Sequence, residues 1–238
     1  MSEAEFSYDE IADAYAAAVD TAPYNALYER PAMLEMMPPV TGARVLEAGC
    51  GAGWYTEQLL ARGAHVTAVD ASAAMVAHAR RRIAGLAPEA AARAELHVAD
   101  LTRPLRFAAD GAYDGVLSAL VMHYLADLRP AFAELRRVLK PGGWLLFSTH
   151  HPFEEAVRLA PERYLATEPV EEDWKWVGRV RYHRRPLSAI TDALADAGLA
   201  VERLAEPLPT EAFRRLKPDT YARLLRHPAF LFVLARPW

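Results

Sequence analysis

The strongest constraint on the fold of this chain is an alternation of short apolar runs with helical patterns, which begins at Arg44. The apolar runs have the length of strands and cover residues 44–47, 65–70, 95–100, 113–119, 144–148, 199–204 and 230–236. Continuous apolar strands separated by helices indicate a parallel sheet that is covered on both faces. The chain is therefore predicted to be an α/β protein whose ligands bind at the carboxyl ends of the strands.

A glycine-rich loop follows the first predicted strand. Gly49, Gly51 and Gly53 lie between that strand and a helical pattern, where glycine allows a tight turn and a close approach of the backbone to a ligand. Asp70 ends the next strand, the position at which an acid accepts hydrogen bonds from ribose hydroxyls. The loop and the acid together predict an adenosine-containing cofactor.

Two residues of this loop distinguish between cofactors. A dinucleotide site requires glycine where this chain has Trp54. Glu47, at the end of the first strand, would repel a pyrophosphate and attract a cation. The charge of Glu47 therefore favours the sulfonium of S-adenosylmethionine over NAD. An NAD-dependent oxidoreductase is the rival interpretation, and calorimetric titration with each cofactor distinguishes the two.

The motifs of residues 6–150 resemble, in order, those of the class I S-adenosylmethionine-dependent methyltransferases. The segments that carry the resemblance are 45–53, 69–75, 99–101, 113–119 and 135–143. The resemblance implies a Rossmann-like, mostly parallel seven-stranded sheet with helices on both faces. It also implies that the last two strands form an antiparallel hairpin.

The resemblance further implies a set of cofactor contacts. The residues placed around S-adenosylmethionine in this way are Tyr15, Glu47, Gly49, Gly51, Asp70, Ala71, Met75, Asp100, Leu101, Ser118 and Ala119. The family pattern assigns the methionine end to Glu47 and the glycines, the ribose to Asp70, and the adenine amino group to Asp100. S-adenosylhomocysteine is the expected product.

Candidate residues for the acceptor follow the fourth and fifth strands. His123 is the first candidate for a general base or a substrate anchor, because an imidazole titrates near neutral pH; the alternative is a packed histidine. Of the adjacent His150 and His151, one is expected to face the substrate, and His151 is taken as the candidate. Tyr24 is a further candidate, from a connector rich in aromatic residues, with surface contact as its alternative.

No metal is predicted at this site. Methyl transfer from a sulfonium is an in-line displacement that requires alignment of the acceptor rather than a metal ion. Asp114 has no second acid nearby, and the adjacent histidines have no cysteine or acid at a spacing suited to zinc.

The chain is expected to form a single domain with four parts. These are an N-terminal helical cap (1–40), a cofactor-binding core (41–150), a substrate lid insert after the fifth strand (151–186), and a C-terminal helix with antiparallel strands (187–238). In the cap, a helical stripe is predicted that consists of Tyr8, Ile11, Ala12 and Tyr15.

The insert is rich in aromatic and basic residues. Its aromatic residues are Tyr164, Trp174, Trp176 and Tyr182. Val177-Gly178 predicts a hairpin turn, and strand alternation then puts Val180 and Tyr182 on one face, opposite Arg179, Arg181 and His183. Arg184 and Arg185 extend this basic cluster, which is either a solvated face or an anchor for an anionic group.

Composition restricts the partners. A formal net charge of −4 disfavours nucleic acid, because nucleic-acid affinity depends on neutralising phosphates. The single cysteine, Cys50, suits a reducing cytoplasm, and the acidic start differs from a signal peptide. No apolar run approaches the roughly 20 residues of a membrane span. We expect a cytoplasmic monomer or homodimer that has neither nucleic-acid nor membrane partners.

The function predicted from the sequence is O-, N- or C-methylation of a small-molecule acceptor. The Ala- and Arg-rich composition associates the chain with bacterial specialised metabolism. The alternatives are an S-adenosylmethionine-binding protein without turnover and a methyltransferase that acts on RNA or protein.

Overall fold

The structure, a computed structural model, describes residues 12–174 and 178–238. Its α-helices are α1 (Ala12–Ala18), α2 (Arg30–Met36), α3 (Trp54–Ala61), α4 (Ala73–Ala84), α5 (Pro88–Ala91), α6 (Arg129–Val138), α7 (Pro152–Leu159), α8 (Leu187–Asp196), α9 (Glu211–Leu216) and α10 (Pro218–Leu224). Its strands are β1 (Arg44–Ala48), β2 (His65–Asp70), β3 (Ala94–Val98), β4 (Tyr113–Ala119), β5 (Leu139–His150), β6 (Glu168–Trp174), β7 (Gly178–Arg184), β8 (Leu199–Ala205) and β9 (Phe230–Pro237). A π-helical turn (Asn25–Glu29) and 3-10 turns at Met122–Tyr124 and Pro161–Arg163 complete the described elements.

Seven strands form one sheet in the order β3-β2-β1-β4-β5-β9-β8. The first five strands of the chain run parallel, and β9 pairs antiparallel with both β5 and β8. The predicted mostly parallel α/β sheet and its antiparallel C-terminal hairpin are therefore confirmed. Strand order reverses between β1 and β4, the place where an open parallel sheet forms a ligand crevice at its carboxyl edge.

Helices cover both faces of this sheet. Along β5, Leu145 and Phe147 pack into a core with α6 and α8, whereas Leu146 packs into a second core with α2, α3 and α9. Because strand residues alternate between faces, an apolar run without polar interruptions supplies side chains to both cores. This burial explains why the strand runs of the sequence are continuous rather than alternating.

The predicted hairpin of the insert is also present. β6 pairs antiparallel with β7 in a separate two-stranded sheet, in which Trp174 lies opposite Gly178. Val180 and Tyr182 are fully buried on one face, as the alternation predicts. Tyr15 and Tyr124 pack against this pair, so that the hairpin contacts both the N-terminal segment and the turn after β4. Of the other residues considered in the sequence, Tyr8, Ile11, Trp176 and Val177 lie outside the described residues.

Two parts of the chain differ from the prediction. β5 begins at Leu139 rather than Trp144, because Leu139 pairs with Tyr113 before the register shifts and continues at Trp144 opposite Gly115. The predicted turn at Pro141-Gly142-Gly143 thus forms an irregularity inside the strand, with Gly142 at a φ of +75° that is typical of glycine turns. Helices α9 and α10, which the sequence did not predict, lie in the connection before β9. In the described part of the chain, no helix is long and apolar enough to cross a membrane.

Candidate functional site

The glycine loop folds over the carboxyl end of β2. The backbone N–H groups of Gly49 and Cys50 both donate to the carbonyl of Val69, each at 2.8 Å. A Cβ atom on Gly49 would lie 2.2 Å from a methyl carbon of Val121, and its φ of +85° disfavours any other residue. Both space and backbone conformation therefore require glycine at this position.

Asp70 fixes the same loop from the neighbouring strand. Its Oδ2 accepts a hydrogen bond from the Gly51 N–H at 2.8 Å, and its Oδ1 accepts from the Ser72 N–H at 2.9 Å. The carboxylate is half-buried. Asp70 thus shapes the glycine loop as well as occupying the position expected of a ribose-binding acid.

A small cavity of about 60 Å³ opens at this carboxyl edge of the sheet. Its lining residues come from the N-terminal segment, the glycine loop, α3 and the end of β4: Tyr15, Val19, Asn25, Glu29, Arg30, Glu47, Gly49, Cys50, Gly51, Ala52, Trp54, Tyr55, Ala119 and Leu120. We call it the cofactor cavity. It brings together the predicted residues of the methionine end, namely Tyr15, Glu47, Gly49, Gly51 and Ala119.

A larger depression, of about 520 Å³, lies at the opposite edge of the sheet. It is lined by residues at the amino ends of the strands, among them Arg44, His65 and Ala94. Ligands of open parallel sheets bind at the carboxyl ends of the strands. The smaller cavity, which adjoins the glycine loop, is therefore the candidate site.

Two buried carboxylates border the cofactor cavity. Glu47 is 2% exposed and accepts a hydrogen bond from Thr56 Oγ1; its burial raises its pKa to about 8. Glu29 is 1% exposed, and its burial raises its pKa to about 7. A cation placed here would favour the ionised form of both groups. Such a cavity suits the sulfonium and ammonium groups of S-adenosylmethionine.

Glu29 is the main residue that the sequence reading missed as a site candidate. Its Oε1 accepts from Ser148 Oγ and its Oε2 from the Tyr55 hydroxyl, both at 2.7 Å. Ser148 Oγ in turn accepts from the N–H of Leu120, a cavity residue with the unusual φ of +56°. The sequence indicates only that Glu29 is an acid within the aromatic-rich connector. Its hydrogen-bond partners, Tyr55 and Ser148, lie far along the chain.

Arg30 supplies a positive charge at the same wall. It is 6% exposed, forms an ion pair with Asp20 at 2.9 Å, and lies 4.2 Å from the ring centre of Trp54. The indole of Trp54, which argued against a dinucleotide, thus stacks with a guanidinium. The cavity therefore presents one cation beside two carboxylates, which matches the mixed charges of an amino-acid group.

Four other predicted cofactor residues are not in the lining of the cavity: Ala71, Met75, Leu101 and Ser118. Met75 is buried, and Ala71 is exposed beyond the end of β2. Leu101 packs into the core that contains α6, and Ser118 donates from Oγ to the Ala48 carbonyl at 2.7 Å. The Ser118 side chain therefore joins β4 to β1, which leaves only its backbone for a ligand.

Asp100 has local partners. Its Oδ1 accepts from both the N–H and the hydroxyl of Thr102 at 2.8 Å, and Arg103 lies 3.5 Å from Oδ2. These contacts cap the turn after β3, which is a common structural role of aspartate in turns. The contact of Asp100 with adenine stays a prediction.

The histidines at the carboxyl edge have different neighbours, and their contact with the acceptor stays a prediction. His123 is 2% exposed and stacks on His150, with ring centres 3.8 Å apart. His151 faces the opposite way, and its Nε2 lies 2.6 Å from Glu206. Because successive residues at the end of β5 point to opposite sides, His150 and not His151 is the neighbour of His123.

His123 is held as a neutral imidazole. Burial, followed by the charges of His150 and Arg185, lowers its pKa well below the usual value. Its Nδ1 lies 3.4 Å from the Thr149 hydroxyl, and its buried Nε2 has no hydrogen-bond partner among the described residues. The ring is therefore available to a ligand as a neutral donor or acceptor.

Tyr24 lies away from the cofactor cavity. Its ring packs edge-on against Phe213 and Phe230, and its hydroxyl accepts from Arg223 at 3.0 Å. These contacts join the π-helical turn to α9, α10 and β9. The structure thus gives Tyr24 a packing role, and its contact with the acceptor stays a prediction.

The basic cluster of the insert divides into an exposed part, which contains Arg179, and two buried arginines. Arg184 and Arg185 are 2% and 7% exposed. Arg184 shares the buried face of β7 with Val180 and Tyr182, since it lies two residues beyond Tyr182. Within residues 12–174 and 178–238, no three His, Cys, Asp or Glu side chains are grouped so that they could hold a metal ion.

Comparison with known proteins agrees with this geometry. Residues 46–147 match the family model of the methyltransferase domain. An S-adenosylmethionine-dependent methyltransferase from Mesorhizobium loti superimposes with a TM-score of 0.75 at 32% identity, over 92% of this chain and 99% of the other. A protein from Listeria monocytogenes, at 22% identity and a TM-score of 0.75, shares the fold over 88% of this chain and 96% of its own. The chain belongs to the class I S-adenosylmethionine-dependent methyltransferases, whose cofactor is S-adenosylmethionine.

A curated relative adds a comparison over part of the sequence. The malonyl-[acyl-carrier protein] O-methyltransferase of Erwinia pyrifoliae is 40% identical over 117 residues, which are 49% of this chain. The chain spans 41% of the length of that relative. The similarity therefore concerns about half of this chain.

Proposed function

We propose that this methyltransferase transfers the methyl group of S-adenosylmethionine to a small-molecule acceptor that binds between the cofactor cavity and the β6–β7 hairpin. The observation that carries the proposal is the position of Tyr15. It lines the cofactor cavity and also packs against the buried face of the hairpin. The N-terminal segment and the insert therefore enclose the same edge of the sheet, which favours a small acceptor over a polymer.

The cofactor would be held by residues that the family pattern and the cavity share. Glu47, Glu29 and Arg30 surround the space for the charged methionine group, and Asp70 is positioned for the ribose hydroxyls. When bound, S-adenosylmethionine supplies an activated methyl group. The protein then has to align the acceptor atom about 3 Å from that methyl group and exclude water.

The curated relative supports this donor and leaves the acceptor open. Its name gives malonyl-acyl carrier protein as an O-methyl acceptor, and O-methylation is one of the three chemistries that the sequence predicts. A hydroxyl acceptor would need a base, and the candidates near the site are Glu29, with its pKa of about 7, and His123. A carboxylate acceptor needs no base because it is already ionised at neutral pH.

Release of S-adenosylhomocysteine from a panel of small acceptors tests the proposal. The panel comprises carboxylic acids, phenols and amines, with Asp70→Ala as the control that lacks the expected ribose contact. We expect turnover with at least one class and none in the control. Tight binding of S-adenosylmethionine without turnover on any class would favour the non-catalytic alternative. Turnover only on RNA or protein would contradict the small-molecule assignment.

A further inference from the structure

Two consecutive arginines at the end of β7 are both buried but differ in their partners. Arg184 donates from Nε to Glu168 at 2.9 Å and from Nη1 to the Arg163 carbonyl at 3.0 Å. Arg185 donates from Nη2 to the Leu125 carbonyl, and its Nε has no hydrogen-bond partner within residues 12–174 and 178–238. Among the described residues, Arg185 forms no ion pair, so its charge is buried without a counter-ion.

An uncompensated buried charge is costly to a folded chain. Burial accordingly lowers the pKa of Arg185 to about 10. The acids whose charges reach it are Glu155 and Asp127, and Glu155 is already bonded to His150 Nδ1 at 2.9 Å. The part of the chain that the structure describes therefore supplies no carboxylate at hydrogen-bond distance from Arg185.

Further unpartnered nitrogens surround this guanidinium. Among the described residues, His123 Nε2 and His183 Nδ1 are buried atoms without hydrogen-bond partners. His183 lies two residues before Arg185, and the carbonyl that accepts from Arg185 belongs to Leu125, two residues after His123. Leu125, which holds Arg185, directly follows the 3-10 turn at the carboxyl end of β4, where His123 stacks on His150. The cluster therefore lies on the acceptor side of the site.

We propose that Arg185, His123 and His183 form a binding site for an oxyanion, a carboxylate or phosphate group of the methyl acceptor. The inference rests on the proposed function, since it names the acceptor as an anion. The guanidinium supplies an N–H donor and the counter-charge that is missing, and the neutral ring of His123 donates from Nε2 in the appropriate tautomer. His183, whose ring already bonds to the Tyr124 backbone, donates from Nδ1 once the nearby anion favours its protonated form. The anion neutralises a charge that the protein alone leaves unpaired.

Anion binding without cofactor tests the site independently of turnover. Malonate and inorganic phosphate are titrated separately at constant ionic strength against chloride, while the Nε–H resonance of Arg185 is followed by NMR, with Arg185→Met used for its assignment. We expect a saturable shift and a saturable rise in the thermal midpoint with the matching anion. The stronger response identifies carboxylate or phosphate. No response to either anion would overturn the proposal.

Matched variants separate binding from folding. Arg185→Met should weaken anion binding by at least an order of magnitude, the effect of removing a charged hydrogen bond, while the exposed control Arg179→Met leaves binding unchanged. Without anion, Arg185→Met should be as stable as the wild type. Arg184→Met should unfold at lower temperature, because it removes the bonds of a buried guanidinium to Glu168 and to the Arg163 carbonyl and leaves Glu168 with Arg163 alone. The proposal would be overturned if both substitutions lowered the unfolding temperature equally and the folded Arg185→Met protein still bound the anion. Arg185 would then have a structural role only. Anion binding without methyl transfer would instead contradict the proposed function alone.

Discussion

The two sides of the site are built in different ways. The cofactor side depends on one continuous stretch, in which β1, the glycine loop and β2 contact each other through backbone groups such as the Gly49 and Cys50 N–H donors. The acceptor side joins segments far apart in the chain, with His123, His150 and Arg185 supplied by three different elements. Backbone geometry therefore fixes the donor site, whereas side-chain identity determines the acceptor site.

The two sides also differ in charge. Glu29 and Glu47 border the cofactor cavity as buried carboxylates, and Arg185 is a buried cation on the acceptor side. A cationic donor and an anionic acceptor would each compensate one of these charges. If this comparison is correct, substitutions on one side should change the affinity for one substrate and not the other.

The largest effect is expected from Asp70→Ala. The substitution removes the carboxylate that accepts from Gly51 and Ser72, and with it the expected ribose contacts. At 1.5–3 kcal/mol for each lost charged hydrogen bond, affinity for S-adenosylmethionine should fall by roughly 100-fold or more. Calorimetric titration measures the change.

Asp100→Ala is the matched control for this experiment. Its carboxylate caps a turn through Thr102, and the adenine contact is its only expected ligand interaction. We expect a loss of no more than about tenfold. Equal affinities of the wild type and Asp70→Ala for S-adenosylmethionine would contradict the assignment of the donor site to the glycine loop.

A second effect concerns pH. Glu29, with a pKa of about 7 in the empty protein, must be ionised to favour a cationic ligand. Affinity for S-adenosylmethionine should therefore rise about tenfold between pH 6 and pH 8 from this group alone, and Glu47, with a pKa of about 8, adds to the rise. S-adenosylhomocysteine, which lacks the sulfonium charge, should show a smaller rise. A flat profile for S-adenosylmethionine would contradict the assignment.

The stability of the empty protein should change with pH in the opposite direction. The pKa of Glu29 is raised from 4.5 to about 7, so the folded state holds a proton that the unfolded state releases. The stabilisation is complete below pH 4.5 and is lost as pH rises through 7, by on the order of 3 kcal/mol. Glu29→Gln should reduce this loss in thermal unfolding and flatten the binding profile. Glu57→Gln, at a partly exposed carboxylate, is the control.

The sequence predicted the strands of the cofactor side well because local rules decide them. β2 and β4 have the predicted bounds, and β1 begins at the predicted residue, because buried parallel strands read as continuous apolar runs. Glu29 and Arg185 could not be assigned in this way. Their roles follow from partners such as Ser148 and Leu125, which only the tertiary fold brings close.

A smaller effect separates the two histidines of the acceptor side. His123→Asn should raise the KM for the acceptor several-fold, since it removes a buried nitrogen beside Arg185, and leave the affinity for S-adenosylmethionine unchanged. His151→Asn should leave both constants near the wild-type values, because His151 faces Glu206 instead. Steady-state kinetics and calorimetry distinguish these outcomes. A larger effect on the acceptor KM from His151→Asn than from His123→Asn would favour His151 as the acceptor residue.

The smallest effect is expected from Tyr24→Phe. The variant keeps the edge-on packing against Phe213 and Phe230 and loses only the hydrogen bond from Arg223, which still pairs with Glu154 at 2.7 Å. The free energy of unfolding should fall by about 1 kcal/mol or less, because the lost bond is partly exposed. Binding and turnover should be unchanged, since the ring lies outside the cofactor cavity. A loss of turnover at unchanged stability would instead indicate that Tyr24, and with it the π-helical turn, belongs to the acceptor side.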